Sequence, residues 1–170
     1  MEEGSLTQIN KLKIGDVAKF LEFQQQLDLE TNFMLLYPEE RQTVIPKFEQ
    51  QLQNMYQDGG TVLIAQQQQQ IVGYLSAERS PLKKIHHVAY LVIGVRKKFR
   101  HQGIGKKLFT ALNSWAQTNQ VSRLELTVMV NNYPALHLYQ QNGFKIEGIK
   151  QNSIYQNDHY VAEYYMGKII

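Results

Sequence analysis

The chain has 170 residues, which fits one domain with one substantial hydrophobic core. Its 18 lysines and arginines stand against 15 aspartates and glutamates, a formal charge of +3, so the whole protein is no polycation and any anion site must come from local clustering. It contains no cysteine, which excludes disulfides, thiolate-held metal and a cysteine nucleophile.

The N-terminus "MEEGSLTQINKLKIGD" is polar and acidic at its start and lacks a basic segment followed by an apolar core, so it does not read as a secretory signal. No apolar run approaches the roughly 18–20 residues that span a bilayer, and a cytoplasmic location is the expectation. "SLTQINKL" reads as a first strand. "GDVAKFLEFQQQLDLE" places Val17, Phe20, Leu21 and Leu27 at roughly helical spacing. "TNFMLLYPEE" interrupts the pattern, and Pro38 suits the first turn of a new helix. That helix, "EERQTVIPKFEQQLQNMYQDGG", carries Val44, Ile45, Phe48, Leu52 and Met55 on one face, with Pro46 marking a kink or a broken start. "TVLIA" and "IVGYLSA" read as strands, and the glutamines from Gln66 to Gln70 as the hairpin loop between them.

"IHHVAYLVIGV" reads as a long strand buried on both faces. "GIGKKLFTALNSWAQTN" follows as a helix with an apolar stripe of Ile104, Leu108, Ala111, Leu112 and Trp115. "RLELTVMV" is a strand, "YPALHLYQQNG" a short helix closed by Gly143, and "FKIEGIKQ" and "HYVAEYYMGK" a final antiparallel pair. No composition break divides the chain, so residues 1–170 read as a single α/β domain built around a strand–helix–strand unit.

The densest charge lies in "GVRKKFRHQGIGKKLF", where Arg96, Lys97, Lys98, Arg100, Lys106 and Lys107 have no acidic residue among them. A helix opens there at about Gly103, and its first turn leaves N–H groups without partners. Arg100, His101 and Gln102 are poor caps, so a bound phosphate would supply the missing acceptor. Glycine at 103 and 105 keeps side chains out of its way, and Ile104 between them anchors the turn in the core. The spacing matches neither a Walker A loop nor a Rossmann turn. It is R-x-x-G-x-G, from Arg100 to Gly105.

This turn resembles the acyl-CoA-binding signature [QR]-x-x-G-x-[GA] of the GCN5-related N-acetyltransferases (GNAT). "LTVMVNNYPALHLYQQNGF" adds Asn132, Ala135, Leu138, Tyr139, Gly143 and Phe144 at that family's spacing. The resemblance runs from about Thr61 to Phe144, and the first sixty residues match only in outline. It implies a mixed, mostly antiparallel central sheet with a splayed parallel strand pair and flanking helices. It also implies acetyl-CoA as co-substrate, no metal, and transfer of an acetyl group to a primary amine by direct attack. The pyrophosphate would sit on the turn Arg100, His101, Gln102, Gly103, Ile104 and Gly105, with Lys106 opening the helix. The pantetheine arm would pair with the main chain of Ile93, Gly94 and Val95, and Asn132 would help to hold it. Tyr139 would protonate the departing thiolate.

The glutamate that many members carry around the positions of Ala89 and Tyr90 is absent. His87, with His86 beside it, and Glu125 are base candidates, against readings as edge histidines and an ordinary strand carboxylate; base catalysis through ordered water also stays open. Phe33 and Tyr37 would line the acceptor pocket or pack in the core. The acceptor is a small-molecule or peptide amine whose identity the resemblance does not choose. Two other readings compete: an acyl-CoA sensor that does not catalyse, and a nucleic-acid-binding module on the basic stretch, whose affinity would fall steeply with salt. No basic helix or aromatic platform supports the latter, so no nucleic-acid or membrane partner is expected, and the final strands leave a homodimer open.

Overall fold

A computed structural model describes residues 6–170; Ser5, with which the first expected strand begins, lies outside the described residues. The chain forms β1 (Gln8–Lys11), α1 (Val17–Glu30), α2 (Ile45–Gln57), β2 (Thr61–Gln67), β3 (Gln70–Arg79) and β4 (Val88–Val95). It continues through α3 (Ile104–Thr118), β5 (Arg123–Met129), α4 (Tyr133–Gln141), β6 (Lys145–Gln156) and β7 (His159–Ile169). The strands make one sheet in the order β1-β2-β3-β4-β5-β7-β6. All neighbours are antiparallel except β4 and β5, as the sequence resemblance implies.

Strand alternation sends side chains to opposite faces, and each face has its own core. Leu75, Ala77, Leu91, Leu124 and Leu126 pack under α3 and α4 through Leu108, Phe109, Leu112 and Tyr139. Val62, Ile64 and Tyr74 pack on the other face under α1 and α2 through Phe20, Phe23, Leu27 and Leu52. The Phe20 ring meets Tyr74 edge-on at 5.4 Å between centroids. Among the described residues no helix is long and apolar enough to cross a membrane.

Three expectations change. Pro46 stands at the first turn of α2, and the residues before it, 41–44, are not helical; a proline there costs nothing because its missing N–H would be unpaired anyway. The strand expected from Ile85 begins only at Val88. Residues 81–87 form a turn segment instead, because the Arg79 guanidinium takes the His86 carbonyl, with Nε at 2.9 Å. The outer part of β4 is not buried on both faces, since Val92, Ile93, Gly94 and Val95 are all half-exposed. Its neighbour β5 has turned away by then.

The glutamine run makes a tighter hairpin than expected. Gln66 and Gln67 pair within β2, and the turn is Gln68 and Gln69, with φ of 47° and 66°. Two left-handed residues in a two-residue turn match the strand twist, but glutamine is a poor choice for them. Replacing Gln68→Asn with Gln69→Gly should therefore raise the unfolding free energy by about 1 kcal/mol, measured by urea denaturation.

Candidate active site

β4 and β5 pair over only three positions, Val88↔Arg123, Ala89↔Leu124 and Tyr90↔Glu125. Beyond Tyr90 they part. β4 stays with β3 as far as Val95, opposite Gly73, while β5 follows β7 as far as Met129, opposite Glu163. The Arg96 N–H donates to the Val72 carbonyl at 2.9 Å. By strand alternation Gly94 and Val92 therefore face β3, and Ile93 and Val95 turn their main-chain groups into the gap. Gly94 is a packing position: a Cβ there would lie 2.4 Å from Leu27 Cδ2 and 3.0 Å from the Tyr74 ring.

The basic turn closes the wide end of the gap. A short 3-10 turn, Lys97–Phe99, leads to Arg100, whose Nε donates to the Val95 carbonyl at 3.0 Å. His101 adopts φ 61° and Gly103, the residue before α3, φ 73°. No side chain caps α3. The first bond into the helix is Lys107 N–H to the Gly103 carbonyl at 3.1 Å, so the N–H groups of Ile104, Gly105 and Lys106 have no partner among the described residues. Ile104 is buried and pins the turn, as the sequence indicates.

The two glycines serve the turn in different ways. A Cβ on Gly103 would meet no protein atom, and its left-handed φ itself favours glycine. A Cβ on Gly105 would lie 2.9 Å from Leu138 Cδ2, so Gly105 lets α4 press against the start of α3. The charge also differs from its linear appearance. Arg96 pairs with Glu30 at the end of α1, with Nη2 to Oε1 at 2.8 Å, and the Lys97 N–H donates to the same carboxylate at 2.7 Å. Lys97, Lys98, Arg100, Lys106 and Lys107 remain exposed. Gln102 accepts from Gln67 at 3.2 Å, so the glutamine run buttresses the turn.

Tyr139, next to Leu138 on α4, is 7% exposed and packs among Phe109 and Phe144, with centroids 6.1 Å and 6.0 Å away. Burial pushes its phenol well above the ordinary range, helped by the nearby Tyr74 and Tyr90 hydroxyls. Its own hydroxyl has no hydrogen-bond partner among the described residues, yet it is not one of the sealed polar atoms. Asn132 caps α4, its Oδ1 accepting from the Ala135 N–H at 3.4 Å.

The base candidates scatter. His86 and His87 lie in the exposed turn before β4, with His86 Nδ1 2.8 Å from the Ser80 carbonyl. His87 is six residues from Ile93, roughly 20 Å along an extended chain. The His87 carbonyl instead accepts from the Ser122 and Arg123 N–H groups, holding β4 to β5. Glu125 stands beside Tyr90 on the α1/α2 face, but Arg123 Nε holds it at 3.1 Å, and the same guanidinium is bonded to Glu147. Missed by the sequence reading is Glu163, 9% exposed, directly opposite Met129 and on the same face. The only signal was a lone acid within "VAEYYM".

That face also carries a cavity of about 220 Å³. Leu29, Leu36 and Tyr37 wall it from the α1–α2 segment, and Met129, Ile154 and Tyr155 from the sheet. Tyr37 thus lines it, whereas Phe33 does not and is 40% exposed. The segment is clasped by Arg41, whose Nε and Nη2 reach the buried Asp28 carboxylate at 2.6 Å and 2.7 Å. Burial pushes the Tyr74 phenol on this side up to about 12. Among the described residues no group of three or more His, Asp or Glu could hold a metal ion.

A model of the Acetyltransferase (GNAT) family matches residues 25–144. An L-amino acid N-acetyltransferase from Escherichia coli is 32% identical over 103 residues, 58% of this chain and 62% of that protein; the match thus spans less than two thirds of the curated relative. The crystal structure of a GNAT acetyltransferase from Streptococcus pneumoniae superposes with a TM-score of 0.91 at 29% identity, over 97% of this chain and 99% of that one. A putative acetyltransferase from Salmonella typhimurium, solved with its cofactor acetyl-CoA, shares the fold at a TM-score of 0.82 and 17% identity, over 96% of this chain and 93% of that one.

The Glu30 carboxyl is held below its usual range, first by the Arg96 bond and then, against the cost of burial, by the Lys97 N–H. A carboxyl depressed on folding stabilises above its unfolded value, and the gain is lost as pH falls through the folded one. Glu30→Gln should therefore be less stable than wild type at pH 7, with the gap closing as pH falls below about 4.5. Thermal melts across pH measure this.

Proposed function

The chain belongs to the GNAT acetyltransferase family, and we propose that it transfers the acetyl group of acetyl-CoA to a primary amine by direct attack. The parting of β4 and β5 carries this reading. It leaves the main-chain groups of Ile93 and the N–H of Val95, whose carbonyl already accepts from Arg100, open beside the N–H groups of α3 that have no partner among the described residues, with Tyr139 next in space through the Leu138–Gly105 contact.

In this arrangement the pyrophosphate accepts from the N–H groups of Ile104, Gly105 and Lys106. Lys97, Lys98, Lys106 and Lys107 attract the remaining phosphate charge. The pantetheine arm runs along Ile93 and Val95 as an added strand, and the Asn132 amide, whose oxygen already caps α4, offers its NH₂ group to it. The acceptor enters from the opposite face, through the cavity between the α1–α2 segment and the β6–β7 hairpin.

An alkyl amine with a pKa near 10.4 is neutral in only about one molecule in a thousand at pH 7, so a proton must leave before attack. The neutral nitrogen then bonds to the acetyl carbon, and the C–S bond breaks. Tyr139 supplies the thiolate's proton. Its raised pKa keeps it protonated through neutral and mildly alkaline pH, so the donor form is always present. The second proton of the attacking nitrogen restores the phenol. The missing carboxylate at Ala89 and Tyr90 favours a non-catalytic acyl-CoA sensor as the second reading, which amine-dependent release of CoA would exclude.

Tyr139→Phe should lower kcat by about 100-fold while calorimetry shows acetyl-CoA affinity within threefold of wild type; unchanged turnover removes Tyr139 as the acid. Gly103→Glu should abolish acetyl-CoA binding by placing a carboxylate at the phosphate seat. Gly103→Asn, which tolerates the left-handed backbone, should retain it, separating charge from strain.

A further inference from the structure

Resting on the reading above, we infer that the acceptor is a primary amine carrying an apolar or aromatic side chain next to the amino group, with its ammonium received by Glu163. The cavity walls come first. Leu29, Leu36, Met129 and Ile154 are apolar, and Tyr37 and Tyr155 are aromatic. The volume of about 220 Å³ is below the roughly 300–1,000 Å³ of pockets that enclose drug-sized ligands. It takes one amino-acid-sized group.

The charges around the cavity narrow the class further. Asp28 is saturated by a bidentate bond to Arg41. Glu125 and Glu147 share Arg123, and Glu30 is held by Arg96. Glu163 differs from all four. It is nearly buried, no arginine reaches it, it makes no side-chain hydrogen bond among the described residues, and its nearest cation is Lys150 Nζ at 3.7 Å. Lys150 itself is half-exposed and can return to water.

A desolvated carboxylate gains most from a cation that donates hydrogen bonds at about 2.7–2.9 Å. Glu163 stands opposite Met129, and Met129 is a cavity wall. An ammonium at Glu163 therefore places its own side chain in the cavity. Glu163 also receives the proton that the ammonium must lose, and the neutral nitrogen turns toward the thioester in the gap. The shared chemistry fits both a free amino-acid-like amine and the first residue of a peptide.

The test uses the intact chain with acetyl-CoA. Leucinamide, methioninamide and phenylalaninamide, and short peptides beginning with the same residues, are compared with glycinamide and spermidine by CoA release. The apolar set should exceed both controls at least tenfold in kcat/KM, and comparing amides with peptides identifies the source. Equal rates, or preference for spermidine, overturn the inference. Glu163→Gln should lower kcat/KM for the best acceptor at least tenfold, Glu163→Asp should recover part of it, and the acetyl-CoA Kd should stay within twofold. An unchanged acceptor KM and kcat in Glu163→Gln overturns the role of Glu163. Leu36→Asp, at a half-exposed wall, gives a second variant and should cut the apolar set at least tenfold. Turnover of glycinamide or spermidine without turnover of any apolar amine sinks this inference alone, whereas absence of acetyl-CoA binding, or binding with turnover of no amine, sinks the reading beneath it.

Discussion

Everything in the site depends on two neighbouring strands ceasing to be neighbours. After Tyr90 and Glu125, β4 and β5 exchange no further bonds, and each is held on its far side only. Unpaired main-chain groups inside a protein are costly, so such a gap persists only where something else meets them. Here the gap opens toward the start of a helix that also lacks acceptors. The two deficits adjoin.

The surrounding structure keeps that gap from closing. Gly94 lets Leu27 and Tyr74 approach β4 closely on one face. On the other, Leu138 seats against Gly105 and sets the distance from α4 to α3. Glu30 reaches from the end of α1 to hold Arg96 and the Lys97 N–H. The turn before α3 is thus fixed to elements from both sides of it in the chain.

How much of this was readable follows contact distance along the sequence. The uncapped turn before α3 was legible because its spacing, its poor cap and its helix all lie within about ten residues. The sheet order followed once the turn was matched to a family. Glu30, Asp28–Arg41 and Glu163 were not legible, because each acts on residues brought near only by folding. His86 and His87 misled for a physical reason: "IHHVAY" continues an apolar run smoothly, whereas the Arg79 side chain and turn bonds from Leu82 to Val88 bend the main chain there. The packing of Gly105 against Leu138 was likewise not legible, since α4 is brought there only by folding.

The clasp between Arg41 and Asp28 has a consequence for how such proteins diverge. Removing one partner of a buried pair costs about 3–5 kcal/mol, so the two residues can be inherited only together. Between them, the exposed tip carrying Phe33, Leu35 and Tyr37 bears little of the fold's stability. Mutations can accumulate at that tip without disturbing the clasp, the gap or the turn before α3. Descendants of one ancestor could therefore reshape this cavity wall while inheriting the strand gap and its turn unaltered.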